Sequence, residues 1–525
     1  MEGRPGPSAA ERAAWTAPGA AAPDLGRAGY TLGLALAFVL AAALRLQRVL
    51  AADFPLHDGG LIYAMVRDLE ASGFRLPLYS SYNGGQVPFA YPPLGLYLAA
   101  VLDRLTPASA LDLLRFLPLA LSLLTVGAFA LLARSLLPSR GAALAAALLF
   151  ASYSEGFSWF IMGGGLTRSL GLLFALLALF WLHRLYTGGR YVHAWAAGVC
   201  GGLALLSHVE MAWFLALSGL FLLAGQGERS LRLLKGTALA ALCALVVSAP
   251  WWATVLGRYG PDTFVAPGSS RTFFALPELA WVGQYHLTHD PVFVAALVLA
   301  ALGALTALRE GGRFIVAWLV GGALAAPWLF PRLTGLPLHL LAGTGLWSGV
   351  RRLGPGSGGL LAAGLAVALA GATAALPVPI DEPLAPATRQ AMAWVGANTP
   401  PGSRFLVVEN RTWWDDVAAE WFPALTGRIS VATPQGLEWV PGAFHRHVDA
   451  YESLQKCAEE GAECLDRWAE ETGLDYDYVF VTKQVPYDLR RERDDCCPTL
   501  RGSLAEAPQY ETVYDGPGAT VFRRR

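Results

Sequence analysis

Long apolar runs separated by short, arginine-bearing loops constrain this chain more than any other feature. A hydrocarbon layer of about 30 Å admits only backbone that satisfies its own polar groups, so each run is expected to cross, or partly cross, a membrane as a helix. Runs can be drawn at 29–50, 112–133, 141–153, 166–186, 193–208, 211–226, 237–257, 291–308, 314–330, 334–350 and 359–377, about eleven spans in all. Several are short, which predicts tilted or broken helices around a cavity. Charged residues make up 15% of the 525 positions, against about 25% in an average soluble domain. A soluble enzyme, a nucleic-acid binder and a disordered scaffold are poor fits to that composition.

The net charge of −1 hides two regions. Residues 1–377 hold 24 basic and 16 acidic residues, whereas residues 378–525 hold 15 and 24. The sequence therefore divides into a leader (1–28), a multi-span membrane domain (29–377) with a large first outer loop (51–111), and an acidic tail domain (378–525). Arg134 and Arg140, Arg184 and Arg190, Arg229, Arg232 and Lys235, Arg309 and Arg313, and Arg351 and Arg352 fall at one end of the spans. The positive-inside rule places that end, with the N-terminus, in the cytoplasm of a cell-membrane (inner-membrane) protein. Eleven spans then leave the tail extracytoplasmic. The leader has no obvious cleavage site and is expected to precede an uncleaved span.

In the tail, Thr388–Asn398 reads as a helix and Phe405–Val408, Tyr478–Thr482 and Thr520–Phe522 read as strands, a small α/β domain. Cys457, Cys464, Cys496 and Cys497 all lie there, as expected of disulfides in an oxidising compartment. Pairing of Cys496 and Cys497 each with one of Cys457 and Cys464 is the favoured arrangement, with a zinc site as the alternative. Trp413, Trp414, Trp421 and Trp439 are expected in the core, with carbohydrate stacking as the other reading.

Chemistry-bearing residues gather in the outer segments 51–111, 152–165 and 258–290. His57-Asp58-Gly59-Gly60 follows the first span; Asp58 can act as general base on an acceptor hydroxyl, with His57 tuning it, or cap the helix expected over Gly59–Ala71. Asn83, Gln86 and Tyr91 offer amide and aromatic contacts to a sugar, or form an ordinary turn. Leu94–Leu105 is expected to be an interfacial or re-entrant helix entered through Pro92 and Pro93. Glu155 and Gly163-Gly164-Gly165-Leu166-Thr167-Arg168 form a candidate phosphate cradle, or a loop whose Arg168 reaches for the interface. His208 and Glu210 interrupt two apolar runs, so they bind substrate or form a structural pair. Arg258, Arg271 and Arg332 are candidate contacts to a lipid-borne phosphate. No GxxxxGK[ST], GxSxG or HExxH motif occurs.

Residues 30–190 resemble the GT-C superfamily of integral membrane glycosyltransferases, and within it the bacterial relatives of the protein O-mannosyltransferases and aminoarabinose transferases. The resemblance lies in the order of elements: Arg45 and Arg48 ending the first span, Asp58, then Pro92-Pro93-Leu94-Gly95, then Arg115-Phe116-Leu117-Pro118 running to Leu132-Ala133-Arg134. Arg332 to Pro337, and the tail over 394–437, extend it. The second acid of the family's Asp-Glu pair is Gly59 here, and the Lys that follows its Pro-Pro-Leu-Gly is Leu96. The resemblance implies inverting transfer of a sugar from a polyprenyl-phosphate donor to a glycan, lipid or protein acceptor outside the membrane, with Asp58 as base. It implies no required cofactor and no metal ligand set, though a divalent metal stays open. A polyprenyl-lipid or polysaccharide transporter, or a catalytically silent relative that binds lipid-linked sugar, is the alternative; nucleic acid is not an expected partner.

Overall fold

The structure, a computed structural model, describes residues 24–225, 230–269, 276–310, 312–327, 333, 335–353, 355–375, 382–483 and 496–525. Helix α1 (Arg27–Ala51) leads into the segment 51–111, the expected first outer loop, which holds α2 (Gly60–Ala71), a two-stranded ribbon of β1 (Tyr79–Ser80) and β2 (Val87–Pro88), and α3 (Leu94–Leu105). Then follow α4 (Ala110–Leu136), α5 (Arg140–Ser152), α6 (Ser154–Ile161), α7 (Gly165–Gly188), α8 (Tyr191–Ser207), α9 (Val209–Gly225) and α10 (Leu231–Tyr259). The membrane part closes with α11 (Asp262–Ser269), α12 (Leu276–His289), α13 (Pro291–Glu310), α14 (Arg313–Ala325), α15 (Leu336–Leu353) and α16 (Pro355–Ala375).

Five of these helices, α1, α4, α7, α10 and α13, are long and apolar enough to cross a membrane alone. A sixth crossing is possible through α5 and α6 together, which are bent by 57° where they meet. The runs at 193–208, 211–226, 314–330 and 359–377 hold shorter apolar helices, as the short runs led one to expect. The chain is thus a mostly helical, integral membrane protein, and the short helices pack among the long ones.

Helices α1, α4 and α5 are locked together by an arginine. Arg45 is buried and donates to Ser122 Oγ at 3.0 Å and to the Ala151 carbonyl at 2.9 Å, with its guanidinium 4.3 Å from the centre of the Phe157 ring. A cation inside an apolar bundle persists only when its donors are used and an aromatic face is offered. At the opposite end Asp24 accepts from Ser139 Oγ and from the Arg140 and Gly141 N–H groups, so the N-terminal segment and the Arg134–Arg140 loop share one end.

The tail carries α17 (Pro386–Asn398), β3 (Arg404–Val408), α18 (Val417–Thr426), β4 (Ile429–Ser430), α19 (Ala443–Glu460), α20 (Ala462–Thr472), β5 (Tyr478–Thr482), α21 (Pro498–Glu506), β6 (Tyr510–Asp515) and β7 (Ala519–Arg524). Its sheet runs β4-β3-β5-β7-β6, parallel across β4, β3 and β5 and antiparallel across β5, β7 and β6. The central strand β5 is buried throughout its length, as a strand covered by helices on both faces must be.

The disulfides differ from the expected cross-pairing. Cys457 bonds Cys464, and Cys496 bonds its neighbour Cys497. Gly461, at φ 93°, turns the chain from α19 straight into α20 and brings the Cα atoms of Cys457 and Cys464 to 5.3 Å. The tail tryptophans also divide: Trp421 and Trp439 are buried, whereas Trp414 is exposed.

The first outer loop and the tail share a single core. Phe54, Leu61, Met65, Tyr82 and Phe89 pack in the same buried cluster as Phe405, Val479 and Trp421. Backbone joins them as well: the His57 N–H donates to the Glu382 carbonyl at 2.7 Å, and Leu56 bridges to Pro383.

Candidate active site at the Asp58 loop

Asp58 sits where three pieces of chain meet: the segment after α1, the glycine turn between α6 and α7, and helix α18 of the tail. The turn supplies the first contacts. The Gly164 N–H donates to Asp58 Oδ1 at 2.9 Å and to the Asp58 carbonyl at 3.1 Å, and Arg168 Nη2 donates to Oδ2 at 2.5 Å. Arg168 is itself held by the Trp159 carbonyl and Met162 Sδ, beneath the Trp159 ring. Close approach explains the glycines. A Cβ on Gly164 would lie 2.8 Å from both carboxylate oxygens, and one on Gly163 would lie 2.3 Å from the Asp58 carbonyl. The segment expected to cradle a phosphate therefore cradles the Asp58 carboxylate, because a carboxylate satisfies the same backbone N–H and guanidinium donors.

Asp58 does not cap α2. The helix has no side-chain cap of its own; instead Glu420 Oε1, from α18, accepts the Gly59 and Gly60 N–H groups at 2.9 and 3.1 Å. Next to it, Trp421 Nε1 donates to the His57 carbonyl at 2.8 Å and its ring packs 4.6 Å from Phe54. Tyr82 Oη donates to the Glu420 carbonyl at 2.7 Å. Burial, and then the Asp58 charge, push the Glu420 carboxyl up to about 8.

The His57 ring is buried, at a positive φ of 46°, with Nε2 3.5 Å from Asp415 Oδ1. Asp415 also accepts from Arg411. His57 thus faces the tail, away from the glycine turn.

Tyr91 lies on the other flank. Its ring is packed edge-on against His208 and Trp439, each with centroids 6.0 Å away. Burial raises the Tyr91 phenol to about 12, the nearby Arg168 pulls it down, and Glu210 and Asp58 push it up again. Asp58, Arg168, Tyr91, His208 and Glu210 therefore form one neighbourhood. His208 occupies the break between α8 and α9, and Glu210 the first turn of α9. Trp251, from α10, donates to the Ala90 carbonyl at 3.0 Å and closes the wall behind Tyr91.

Other expected site residues lie elsewhere. Asn83 gives both amide atoms to β4, donating to the Ser430 carbonyl at 3.0 Å and accepting from the Ser430 N–H at 2.8 Å, so it docks the loop on the tail rather than lining the site. Gln86 is exposed. Arg258 donates to the Leu76 and Pro77 carbonyls at 3.1 and 2.7 Å, fastening the first outer loop to the end of α10. Glu155 is half-buried in the first turn of α6. Arg271 and Arg332 lie outside the described residues.

Among the described residues no group of three or more His, Cys, Asp or Glu side chains is arranged to hold a metal ion.

Sequence missed Glu420, and placed Trp421 in the core without its hydrogen bond to the Asp58 loop. The available signal was a lone carboxylate in the apolar string Ala418-Ala419-Glu420-Trp421-Phe422, which must find a partner once the helix is buried.

A bent helix pair feeding a glycine turn, an acidic residue after the first long helix and a helical membrane bundle are arranged as in solved membrane glycosyltransferases, to which the chain is similar in fold. The profile of the dolichyl-phosphate-mannose-protein mannosyltransferase family matches residues 90–253. Among solved structures, arabinofuranosyltransferase AftD from Mycobacteria is similar over 96% of this chain and 40% of its own length, at 17% identity and a TM-score of 0.60. The oligosaccharyltransferase AglB from Archaeoglobus fulgidus, in complex with an inhibitory peptide and a dolichol-phosphate, is similar over 86% of this chain and 69% of its own, at 14% identity and a TM-score of 0.55. ArnT from Cupriavidus metallidurans, bound to undecaprenyl phosphate, is similar over 95% of this chain and 98% of its own, at 15% identity and a TM-score of 0.50. No curated protein sequence matches the chain.

Proposed function

We propose that this protein moves a sugar from a polyprenyl-phosphate donor to an acceptor hydroxyl at the extracytoplasmic face of the cell membrane, with Asp58 as general base. The observation that carries the reading is the Asp58 carboxylate itself, oriented by the Gly164 N–H and Arg168 at the mouth of the bundle. The glycosyltransferase folds that share this architecture, one of them solved with undecaprenyl phosphate, support a lipid-borne donor.

The chemistry is a single displacement. The acceptor oxygen attacks the anomeric carbon, the bond from that carbon to the phosphate oxygen breaks, and the acceptor proton passes to Asp58. The lipid phosphate leaves with the bonding pair. Arg168 is placed to share its guanidinium between Asp58 and that phosphate, since the group has five donors in a planar fork. Moving Arg168 toward the phosphate would neutralise the charge that develops on the leaving group. Tyr91 and Trp439 offer aromatic faces beside the reacting centre, suited to a sugar ring.

The test is transfer from a panel of radiolabelled polyprenyl-phosphate sugars by the purified full chain, with Asp58→Asn alongside. The expected result is turnover of one donor and its loss by about 10²-fold or more in the variant. Undiminished transfer by Asp58→Asn would remove the base from the proposal. Binding of a donor with no turnover by the wild type would favour the carrier or silent-relative reading.

A further inference from the structure

We propose that Glu420, supplied by the tail, is a positioning residue for the Asp58 carboxylate. This inference rests on the glycosyl-transfer reading above and adds to it a residue outside the family's membrane motifs.

The argument starts from backbone. The peptide on either side of Asp58 takes conformations that side chains disfavour: His57 has φ 46° and Gly59 has φ 142°. A turn of that kind persists when its surroundings over-determine it. Glu420 does so with one oxygen, accepting from both N–H groups that follow Asp58. These are N-terminal donors of α2, which no local side chain satisfies. The fit is close: a Cβ on Gly60 would stand 2.6 Å from the Glu420 carbonyl oxygen. Trp421 fastens the residue before Asp58 through the His57 carbonyl, and the Gly164 N–H fastens Asp58's own carbonyl. Glu420 thus clamps the downstream side of a residue whose upstream side and carbonyl are already fixed.

Charge adds a second connection. Glu420 faces Asp58 and Arg168, with Tyr82 behind it. The Asp58 charge pushes the Glu420 carboxyl up and Arg168 pulls it down, so the tail carboxyl responds to both groups of the site. The tail is thereby part of the catalytic apparatus, because without α18 the Asp58 turn loses its anchor.

The test uses the full-length chain in detergent or nanodiscs, as Glu420→Ala and Glu420→Gln. Glutamine keeps an oxygen that can accept both N–H bonds and removes the titrating group. The first readout needs no activity: hydrogen–deuterium exchange of the peptide covering Gly59–Leu61. Glu420→Ala should speed that exchange by about ten-fold or more, with Glu420→Gln close to the wild type. Unchanged exchange in Glu420→Ala would overturn the anchor whether or not the protein transfers sugar. The second readout is kinetic. Glu420→Ala should lower kcat by about 10²-fold, as misplacement of a base by about 1 Å does, while donor KM moves by less than about 3-fold. Glu420→Gln should recover most of that loss and remove the pH dependence that a Glu420 carboxyl raised to about 8 would impose on the rate. A residue that only held the fold would instead change protein yield and leave the pH profile of the surviving enzyme unaltered. Wild-type turnover that Asp58→Asn loses, with kinetics in both Glu420 variants matching the wild type, would leave the transfer reading standing and remove Glu420. A wild type inert toward every donor would remove the transfer reading, and the exchange measurement would still decide the anchor.

Discussion

Gly164 shows how closely one residue can hold a reactive group. Its N–H orients Asp58 Oδ1, and its missing Cβ leaves the room in which both carboxylate oxygens lie. Gly164→Ala is therefore expected to turn the carboxylate away from Arg168 and lower transfer by about 10²-fold, with donor binding and folded yield close to the wild type. Steady-state kinetics on the purified variant decide this, and wild-type kcat would show that the carboxylate has more freedom than the contacts imply. At this scale the sequence was half legible. Asp58 stood out because a carboxylate after a first span needs a reason, and Arg168 stood out as a cation at the mouth of a span. Their pairing was hidden, since 110 positions separate them and no local pattern links a glycine turn to a distant carboxylate. The residue type of Asn83 allows a sugar contact or an ordinary turn. Only the tertiary arrangement reveals that its amide serves as a strand-like partner for Ser430.

At the scale of elements, the decisive contact is helix α18 laid on the Asp58 turn. Its Asp416 N-cap accepts from the Ala419 N–H, and its C-terminus stops at Gly427 in the left-handed region, so the helix is defined at both ends by its own sequence. What the local signals could not reveal is the surface it covers. Hydropathy marks apolar runs well, which is why the long helices α1, α4, α7, α10 and α13 match their runs closely. It does not report which apolar face meets which, and so a tail read as a separate domain shares its core with the first outer loop. Two substitutions test that docking. Trp421→Phe keeps the ring against Phe54 and deletes the indole N–H to His57, and should cost about 1 kcal/mol. Asn83→Ala leaves the buried Ser430 N–H without its partner, while the Ser430 carbonyl keeps the Thr433 N–H at 3.3 Å, at about 1–3 kcal/mol. Both should lower the midpoint of thermal unfolding and raise proteolysis of the first outer loop. Unchanged midpoints would mean that the shared core, not these hydrogen bonds, carries the docking.

Taken as a whole, the molecule has an acidic tail with buried carboxyls, one of which, Glu420, reaches the Asp58 turn. Burial and the neighbouring Asp58 charge raise Glu420 from the ordinary 4.5 to about 8; burial and the Asp416 charge push Glu409 well up in the same direction. A carboxyl whose folded value exceeds its unfolded one binds its proton more tightly in the folded state. The stability it confers is fully present below the unfolded value and is lost as pH rises through the folded one. The tail and its attachment to the Asp58 turn should therefore be most stable in mildly acidic solution and weaken from about pH 5 to about pH 8, the reverse of a protein held by surface ion pairs. Thermal unfolding of the wild type and Glu420→Gln across that window measures the effect directly. The wild-type midpoint is expected to fall relative to that of Glu420→Gln as pH rises, because the variant has no proton to lose at that position. A constant difference between the two across the window would mean that Glu420 ionises as an ordinary surface carboxylate does, and would separate its hydrogen bonds to Gly59 and Gly60 from any role for its charge.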